Sequence, residues 1–337
     1  MLIFYLLLFV VTITAARYTR GFNREYLAFD TTNTVKGFFI LLVFISHVIP
    51  YTVKSGAEFC NLFWLVHNRI GQWIVAMFLF YSGYGIMESI KKKGNAYIAA
   101  IPKHRIFNTL LNFDVAVLAF IVVSIFVGAD FSLQQYLLAF TGWETVGNSN
   151  WYIFIILLCY VVTFIAFSCS NNRKLNALVC LLLSLLMIVL LGLFKQDYWY
   201  NTMLCYSAGI FFSLYREKTE DFIQKKYWVL LLTSLVLLVL LFVFPYSLKG
   251  ITYNAFSIVF CAMVLLLTMK FKIKSSVLQW CGNNLFPLYI YQRIPMIVFA
   301  SISGGAFVAD YPLIYTLVCL IITVIIAYLY RFWAIKL

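Results

Sequence analysis

Two side chains able to do chemistry, Lys36 and His47, lie eleven residues apart in a single apolar stretch. Eleven residues of α-helix rise about 16 Å, so in a membrane-spanning helix the lysine lies near one face and the histidine roughly halfway across. An ionisable ring inside a membrane span is costly unless it is partnered or functional, which makes His47 a candidate functional residue. A histidine that only hydrogen-bonds a neighbouring helix is the alternative interpretation. The spacing favours chemistry on a molecule that enters from one side of a bilayer and reacts within it.

Three further ionisable residues fall inside apolar segments of the chain, and they are Glu88, Asp114 and Arg293. Glu88 is close to one end of its segment, where its carboxylate can reach water. Arg293 is deeper and requires a carboxylate or an anionic ligand. Two interpretations therefore stay open, a structural pair between Asp114 and Arg293 and a ligand contact made by Arg293.

The composition indicates a membrane protein. Of the 337 residues, 64% are hydrophobic and 11% are charged, whereas soluble domains carry roughly 25% charged residues. We therefore predict an all-α, polytopic helix bundle surrounded by lipid. The formal net charge of +13 comes from short basic blocks between apolar runs, which is a topology signal. No stripe of aromatic and basic residues suggests a nucleic-acid partner.

The apolar runs predict about eleven membrane spans, bounded by charges, Pro, Gly or Asn. The first sixteen residues lack a basic N-terminal region, and Arg17 follows them. That order favours a retained span with its N-terminus outside over a cleaved signal peptide. The predicted spans are 2–16, 36–53, 69–90, 106–128, 150–169, 175–194, 198–215, 227–244, 251–270, 284–303 and 312–330.

The distribution of basic residues predicts the orientation. Twenty of the 25 Lys and Arg residues fall in alternate connections, which places those connections and the C-terminus in the cytoplasm. The run from Lys91 to Lys93 and the run from Lys103 to Arg105 lie on that side. They are either topology signals alone or a site for a phosphorylated cytosolic molecule, which Lys36 could join.

Cysteine and histidine spacing gives no sign of a metal site. The eight cysteines form no CxxC pair, and the three histidines, His47, His67 and His104, are scattered without an HExxH motif. We therefore predict no metal ligands, and we interpret most cysteines as small core residues.

Four stretches, taken in order, resemble the membrane-bound acyltransferase-3 family, integral membrane O-acyltransferases of bacterial surface glycans. The resemblance runs from about Arg24 to the C-terminus. It implies an additional N-terminal transmembrane span at 1–23 and an acyltransferase-3-like membrane domain at 24–337. The matching stretches are Arg24–Leu27 through Lys36 to His47, Phe78–Tyr84 with its Ser-Gly pair, Asn150–Ile153, and Cys281–Gln292.

Several positions depart from the family pattern. Lys36 stands where arginine is usual, and Asn33 stands where an aspartate is often found. In the late signature, Leu285 and Gln292 replace a serine and a histidine, and the family's paired arginines are reduced to Arg105. His47 itself is kept, which favours retained chemistry.

The resemblance implies transfer of an acyl group, acetyl by preference, from cytosolic acyl-CoA to a hydroxyl of a lipid-linked or exported glycan. It places the protein in the bacterial cytoplasmic membrane as a multi-pass enzyme, with acyl-CoA as a donor substrate and no permanently bound cofactor. His47 would act as general base on the acceptor hydroxyl, a role that suits imidazole near neutral pH. Asp114 would orient the ring and stabilise the imidazolium.

The same resemblance assigns binding roles to residues on both sides of the bilayer. The CoA phosphates would contact three basic residues at the cytoplasmic face. Trp151 and Tyr152 would either stack on the sugar or serve as ordinary interface anchors. The predicted donor-binding residues are Lys36, Lys103 and Arg105, and the predicted substrate-binding residues are Trp151, Tyr152, Gln292 and Arg293.

Two other functions are consistent with the same residues. A glycan or lipid transporter or flippase would use helices broken near Gly83, Pro287 and Pro295 and intramembrane charges for ion coupling. A non-catalytic membrane partner of a polysaccharide synthase would explain the altered late signature. The sequence does not decide between a monomer and a homo-oligomer.

Overall fold

The computed structural model describes residues 2–56, 60–243, 249–302 and 305–337. It confirms the all-α prediction, since the regular structure described is helical apart from two three-residue strands. Within these residues, nine helices are long and apolar enough to cross a membrane. The chain is therefore a multi-pass membrane helix bundle.

The elements follow one another with short connections. A π-helical turn, Pro102–Phe107, joins α5 to α6, and α11 is kinked at Lys226. The elements are α1 Leu2–Ala15, β1 Ala16–Tyr18, α2 Phe29–Lys54, α3 Asn61–Ile70, α4 Trp73–Lys93, α5 Asn95–Ile101, α6 Asn108–Phe126, α7 Leu133–Ala139, α8 Trp151–Ser168, α9 Arg173–Phe194, α10 Leu204–Leu214, α11 Arg216–Val243, α12 Ile251–Lys270, β2 Phe271–Ile273, α13 Ser276–Asn283, α14 Leu285–Tyr291, α15 Arg293–Ile302, α16 Ala306–Asp310 and α17 Pro312–Leu329.

Nine of the eleven predicted spans overlap the nine helices of spanning length. The other two, 2–16 and 198–215, correspond to α1 and α10, which have 14 and 11 residues. Helices of those lengths rise about 21 Å and 16 Å, less than the roughly 30 Å of a bilayer core. The count of eleven spans and the membrane orientation stay predictions.

The centre of the bundle is formed by α2, α4 and α8, whose side chains are mostly buried. In contrast, α9, α11 and α17 expose most of their apolar residues. A helix that is apolar all round and exposed on one side suits contact with lipid. The helix that carries Lys36 and His47 is therefore central, as its position in a site requires.

Helices α2 and α13 are in close backbone contact through one glycine on each. An added Cβ at Gly37 of α2 would lie 1.7 Å from the Leu278 carbonyl oxygen of α13, and one at Gly282 would lie 1.8 Å from the Asn33 carbonyl oxygen. We call this contact the α2–α13 seam. Small residues let membrane helices approach closely and gain van der Waals packing. The seam fixes the helix face that bears Lys36.

The N-terminal segment is attached to the bundle by a two-stranded antiparallel pairing of β1 with β2. Tyr5 of α1 is buried, and α1 packs on α2. Beside the strands, a hydrogen bond from Lys272 lowers the pKa of the exposed Glu25 carboxyl. The proposed division of the chain at residue 23 is not tested by these contacts and stays a prediction.

Candidate functional site

A cavity of about 510 Å³ opens between α2, α4, α8, α14 and the π-helical turn. Its volume lies within the usual range for small-molecule sites. Two cations, Lys36 and Arg105, line it together with several aromatic rings, and we call it the basic cavity. Its lining is Leu27, Phe29, Thr32, Lys36, Phe78, Tyr81, Ser82, Tyr84, Gly85, Ile86, Ser89, Arg105, Thr109, Tyr152, Ile153, Ile156, Tyr160, Leu285, Phe286 and Tyr289.

Lys36 is held in the basic cavity by an amide relay across the α2–α13 seam. Its Nζ donates to Asn33 Oδ1 at 2.8 Å, and Asn33 Nδ2 donates to Asn283 Oδ1 at 2.5 Å. The described residues contain no carboxylate within ion-pair distance of Lys36. Its positive charge is therefore left for a ligand.

Arg105 is presented by the π-helical turn between α5 and α6. Its Nε donates to Tyr97 Oη at 3.1 Å, which leaves the terminal nitrogens of the guanidinium free to bind an anion. Ser82 and Tyr160, which also line the cavity, form a hydroxyl–hydroxyl hydrogen bond of 3.2 Å. Lys103 is exposed on the same turn and is not part of the cavity lining.

A second cavity, of about 310 Å³, contains His47 and lies further along α2. We call it the histidine cavity. Besides His47, it offers a second imidazole, two side-chain amides and an indole, groups able to bind a polar ligand. Its lining is Val43, Ser46, His47, His67, Asn68, Gly71, Gln72, Ile74, Val75, Trp151 and Tyr289.

His47 contacts the loop that leads into α8. Its Nδ1 lies 3.4 Å from Ser149 Oγ. The loop is braced internally, since Thr145 Oγ1 donates to the Asn148 carbonyl at 2.7 Å and Asn150 Nδ2 donates to the Gly142 carbonyl at 2.8 Å. A braced loop therefore holds the imidazole through its Nδ1.

Lys195, directly after α9, binds the loop that leads into α8. Its Nζ donates to the Trp143 carbonyl at 2.7 Å and lies 3.2 Å from Glu144 Oε1. The ammonium is also 4.1 Å from the ring centroid of Trp143 and 4.6 Å from that of Trp199, which are cation–π distances. These contacts fix the loop that carries Ser149.

Arg293 contacts groups close to His47. Its Nε donates to Tyr51 Oη at 3.1 Å, and its Nη1 donates to the Asn148 carbonyl at 3.4 Å. Tyr51 is one helical turn beyond His47 on α2. Neither partner is charged, and no described carboxylate pairs with Arg293. The predicted substrate contact of Arg293 is not tested by this geometry.

Asp114 lies on α6, away from the described hydrogen bonds of His47 and Arg293. Its Oδ1 is buried and has no described hydrogen-bond partner. The structure therefore does not bring Asp114 into a hydrogen bond with His47 or an ion pair with Arg293, the two contacts considered from the sequence. Whether Asp114 takes part in chemistry stays a prediction.

Gln292 is fully buried at the junction of α14 and α15. Its Nε2 donates to the Tyr289 carbonyl at 2.9 Å, and its Oε1 has no described partner. The side chain is absent from the lining of both cavities. Its contact with the backbone of α14 is structural, and its predicted substrate contact stays untested.

The two cavities share one wall. Tyr289 lines both of them, and its ring centroid lies 6.0 Å from that of His47 and 5.3 Å from that of Tyr152. At the start of α8, Trp151 lines the histidine cavity and Tyr152 lines the basic cavity. The two residues were predicted together as one substrate-binding pair, but each lines a different cavity.

Sequence reasoning did not single out Ser149, Tyr289 or the Ser82–Tyr160 pair. Tyr289 lies inside the late signature, and Ser149 directly precedes the Asn150–Trp151 stretch. Both residues thus lie in or beside the stretches that resemble the family, but their proximity to His47 depends on tertiary contacts that no local pattern reveals.

The chain matches the model of an acyltransferase domain over residues 31–331. That match covers most of the chain and includes the histidine cavity and all of the basic cavity lining except Leu27 and Phe29. The protein is a membrane-bound transferase. It belongs to the acyltransferase-3 family and is an acyltransferase. No curated protein and no solved structure matches it closely enough to narrow this further.

Proposed function

We propose that the protein is an O-acyltransferase that moves an acyl group, acetyl by preference, from cytosolic acyl-CoA to a hydroxyl of a lipid-linked or exported surface glycan. The observation that supports this most is the pair of cavities that meet at Tyr289. One cavity carries cations and the other carries His47. A donor and an acceptor could thus enter from opposite ends of α2 and meet beside a base.

The basic cavity suits the donor. Lys36 and Arg105 present positive charge without a described carboxylate partner, and charge-assisted hydrogen bonds to phosphate are among the strong ones. Lys103, exposed on the same turn, could add a contact outside the cavity mouth. The aromatic walls formed by Phe78 and Tyr152 would enclose the apolar arm that carries the thioester.

The histidine cavity suits the acceptor. A sugar needs hydroxyl partners and an apolar ring face, and Asn68, Gln72 and Trp151 offer both kinds of contact. Trp151 packs edge-on against Tyr198, with ring centroids 6.1 Å apart, and Gln72 Nε2 donates to the Tyr198 carbonyl at 2.7 Å. These contacts hold the two side chains at one cavity wall.

The reaction proposed is direct transfer. In the tautomer proposed, Nδ1–H of His47 donates to Ser149 Oγ, so Nε2 is unprotonated and takes the proton from the acceptor hydroxyl. The alkoxide oxygen attacks the thioester carbonyl carbon and the C–S bond breaks. The proton on His47 passes to the departing CoA thiolate. In this scheme Ser149 has the orienting role that the sequence suggested for Asp114.

The proposal can be tested with purified protein in liposomes. The probe is acetyl-CoA labelled in the acetyl group, supplied outside, with glycolipid extracted from native membranes as acceptor. We expect label in the glycolipid and free CoA thiol in equal amounts. Movement of glycolipid across the bilayer without label would instead favour a carrier. If there is neither labelling nor movement of the glycolipid, a non-catalytic partner is favoured.

Removing either cation of the basic cavity should weaken donor binding. We expect Lys36→Met and Arg105→Gln each to raise the KM for acetyl-CoA about tenfold or more, because a hydrogen bond to a charged group contributes about 1.5–3 kcal/mol. Lys36→Arg should retain most of the activity. Initial rates at varied acetyl-CoA concentration measure these effects.

Lys92→Met is the matched control for that measurement. Lys92 is exposed at the end of α4 and is absent from the cavity lining, so the variant removes one positive charge without touching the proposed donor site. An unchanged KM in Lys36→Met and Arg105→Gln would remove these residues from the donor site.

A further inference from the structure

One buried hydroxyl lies at the junction of the two cavities without a defined role. Tyr289 is 3% exposed, and its hydroxyl lies beside the backbone N–H of Tyr152 but donates no hydrogen bond to any of the described residues. A buried hydroxyl left unpaired costs about 1–3 kcal/mol. Because Tyr289 lines both cavities, a ligand that spans the junction is the natural partner for this hydroxyl.

We propose that the Tyr289 hydroxyl is the oxyanion donor of acyl transfer. This inference rests on the proposed function and adds a catalytic residue to it. The ring lies 6.0 Å from His47, centroid to centroid, so a thioester carbonyl between the two cavities could have the base on one side and the phenol on the other. A donor that is fixed in place and shielded from water is well suited to stabilise developing charge.

Acyl transfer at this junction passes through a tetrahedral oxyanion. The acceptor O–H bond breaks as His47 takes the proton, and the acceptor oxygen forms a bond to the carbonyl carbon. The carbonyl π electrons move to the carbonyl oxygen, which becomes an oxyanion that accepts a hydrogen bond from Tyr289. When the carbonyl re-forms, the C–S bond breaks and the thiolate receives the proton from His47. Tyr289 keeps its own proton throughout.

Other nearby hydroxyls fit this role less well. Ser149 Oγ is in contact with His47 Nδ1. Ser82 and Tyr160 are hydrogen-bonded to each other and line only the basic cavity. The Tyr81 hydroxyl is also unpaired, but Tyr81 is not part of the histidine cavity. Among these groups, Tyr289 alone combines a hydroxyl that donates no described hydrogen bond with a place in the lining of both cavities.

The test uses inverted vesicles from native membranes, which supply the natural acceptor, with acetyl-CoA labelled in the acetyl group as the probe. We expect Tyr289→Phe to lower kcat by about 10²–10³-fold, the loss seen when one oxyanion donor is removed. The KM for acetyl-CoA should stay unchanged, because the hydrogen bond strengthens only in the transition state. A loss confined to KM would overturn the proposal.

Tyr291→Phe is the matched control. Tyr291 lies on the same helix and is equally buried, but its hydroxyl accepts a hydrogen bond from Trp333 Nε1 at 3.2 Å and lines neither cavity. We expect its kcat to be unchanged. Equal loss in both variants would indicate a packing effect and would overturn the proposal.

A second measurement separates catalysis from folding. Difluorotyrosine at position 289 keeps the hydroxyl but makes it a stronger hydrogen-bond donor, so a several-fold change in kcat is expected, which a purely structural role would not produce. An unchanged kcat in both the difluorotyrosine and phenylalanine proteins overturns the oxyanion role. If kcat is unchanged in both proteins but His47→Gln is inactive in the same vesicles, the oxyanion role is excluded and the proposed function is retained. Absence of transfer by the unsubstituted protein overturns both.

Discussion

His47→Gln is expected to lower the rate of acyl transfer by about 10²–10⁴-fold, the usual contribution of a positioned general base. Glutamine can accept a hydrogen bond but cannot take up a proton at neutral pH, so it tests basicity with little change in volume. The effect should fall on kcat, because His47 would act on the acceptor after the donor has bound. Labelled acetyl-CoA and native membranes provide the assay.

His104→Gln is the control for that substitution. His104 is exposed on the π-helical turn, where its Nδ1 lies 2.6 Å from the Leu337 carbonyl oxygen, and it lines neither cavity. Both variants should accumulate in the membrane at normal levels. Full activity in His47→Gln would exclude His47 as the base and leave the family assignment intact.

The proximity of Lys36 to Arg105 could be predicted from local sequence, whereas their role in donor binding stays a prediction. Lys36 and Arg105 were grouped because both are basic and both belong to cytoplasmic ends in the charge pattern. The structure brings them to one cavity. This succeeded because membrane topology confines helix ends to two planes, so residues far apart in sequence share a face once the orientation is assigned.

The partners of His47 could not be predicted in this way. A carboxylate was expected beside the ring because triads use one, and Asp114 was the nearest candidate in type. The structure instead places Ser149 there, on a loop whose course depends on Lys195, Trp143 and the internal bonds of the loop. Loop geometry of this kind has no periodicity to read.

Helix positions followed from hydropathy, whereas helix breaks did not. Within the predicted span 284–303, α14 and α15 meet at Gln292 with the backbone still in helical conformation, at φ −59° and ψ −29°. The predicted span 69–90 begins at a turn around Gly71, whose φ of +45° separates α3 from α4. The turn at Gly71 lines the histidine cavity, and such a break in a membrane helix is tolerated where the backbone lines a cavity.

The close contact of α2 with α13 gives a second large effect, on folding rather than chemistry. Gly282→Ala would place a methyl group 1.8 Å from a backbone carbonyl of α2, and a backbone atom cannot move aside without separating the helices. Overpacking typically costs about 1–3 kcal/mol, and we expect at least that here. The loss of stability is measured by heating the purified protein and monitoring its melting by size-exclusion chromatography.

Gly192→Ala is the matched control, because Gly192 lies within α9 and an added Cβ would meet only Tyr200, at an ordinary contact distance of 3.6 Å. Alanine favours a helix over glycine by about 1 kcal/mol, so this variant should be at least as stable as the parent. If Gly282→Ala melts at the same temperature as Gly192→Ala, the close approach of α2 and α13 is wrong.

Because Asn283 adjoins the seam and braces Asn33, which holds Lys36, the folded fraction of Gly282→Ala should also show a raised KM for acetyl-CoA. We therefore expect stability and donor binding to depend on the same helix contact.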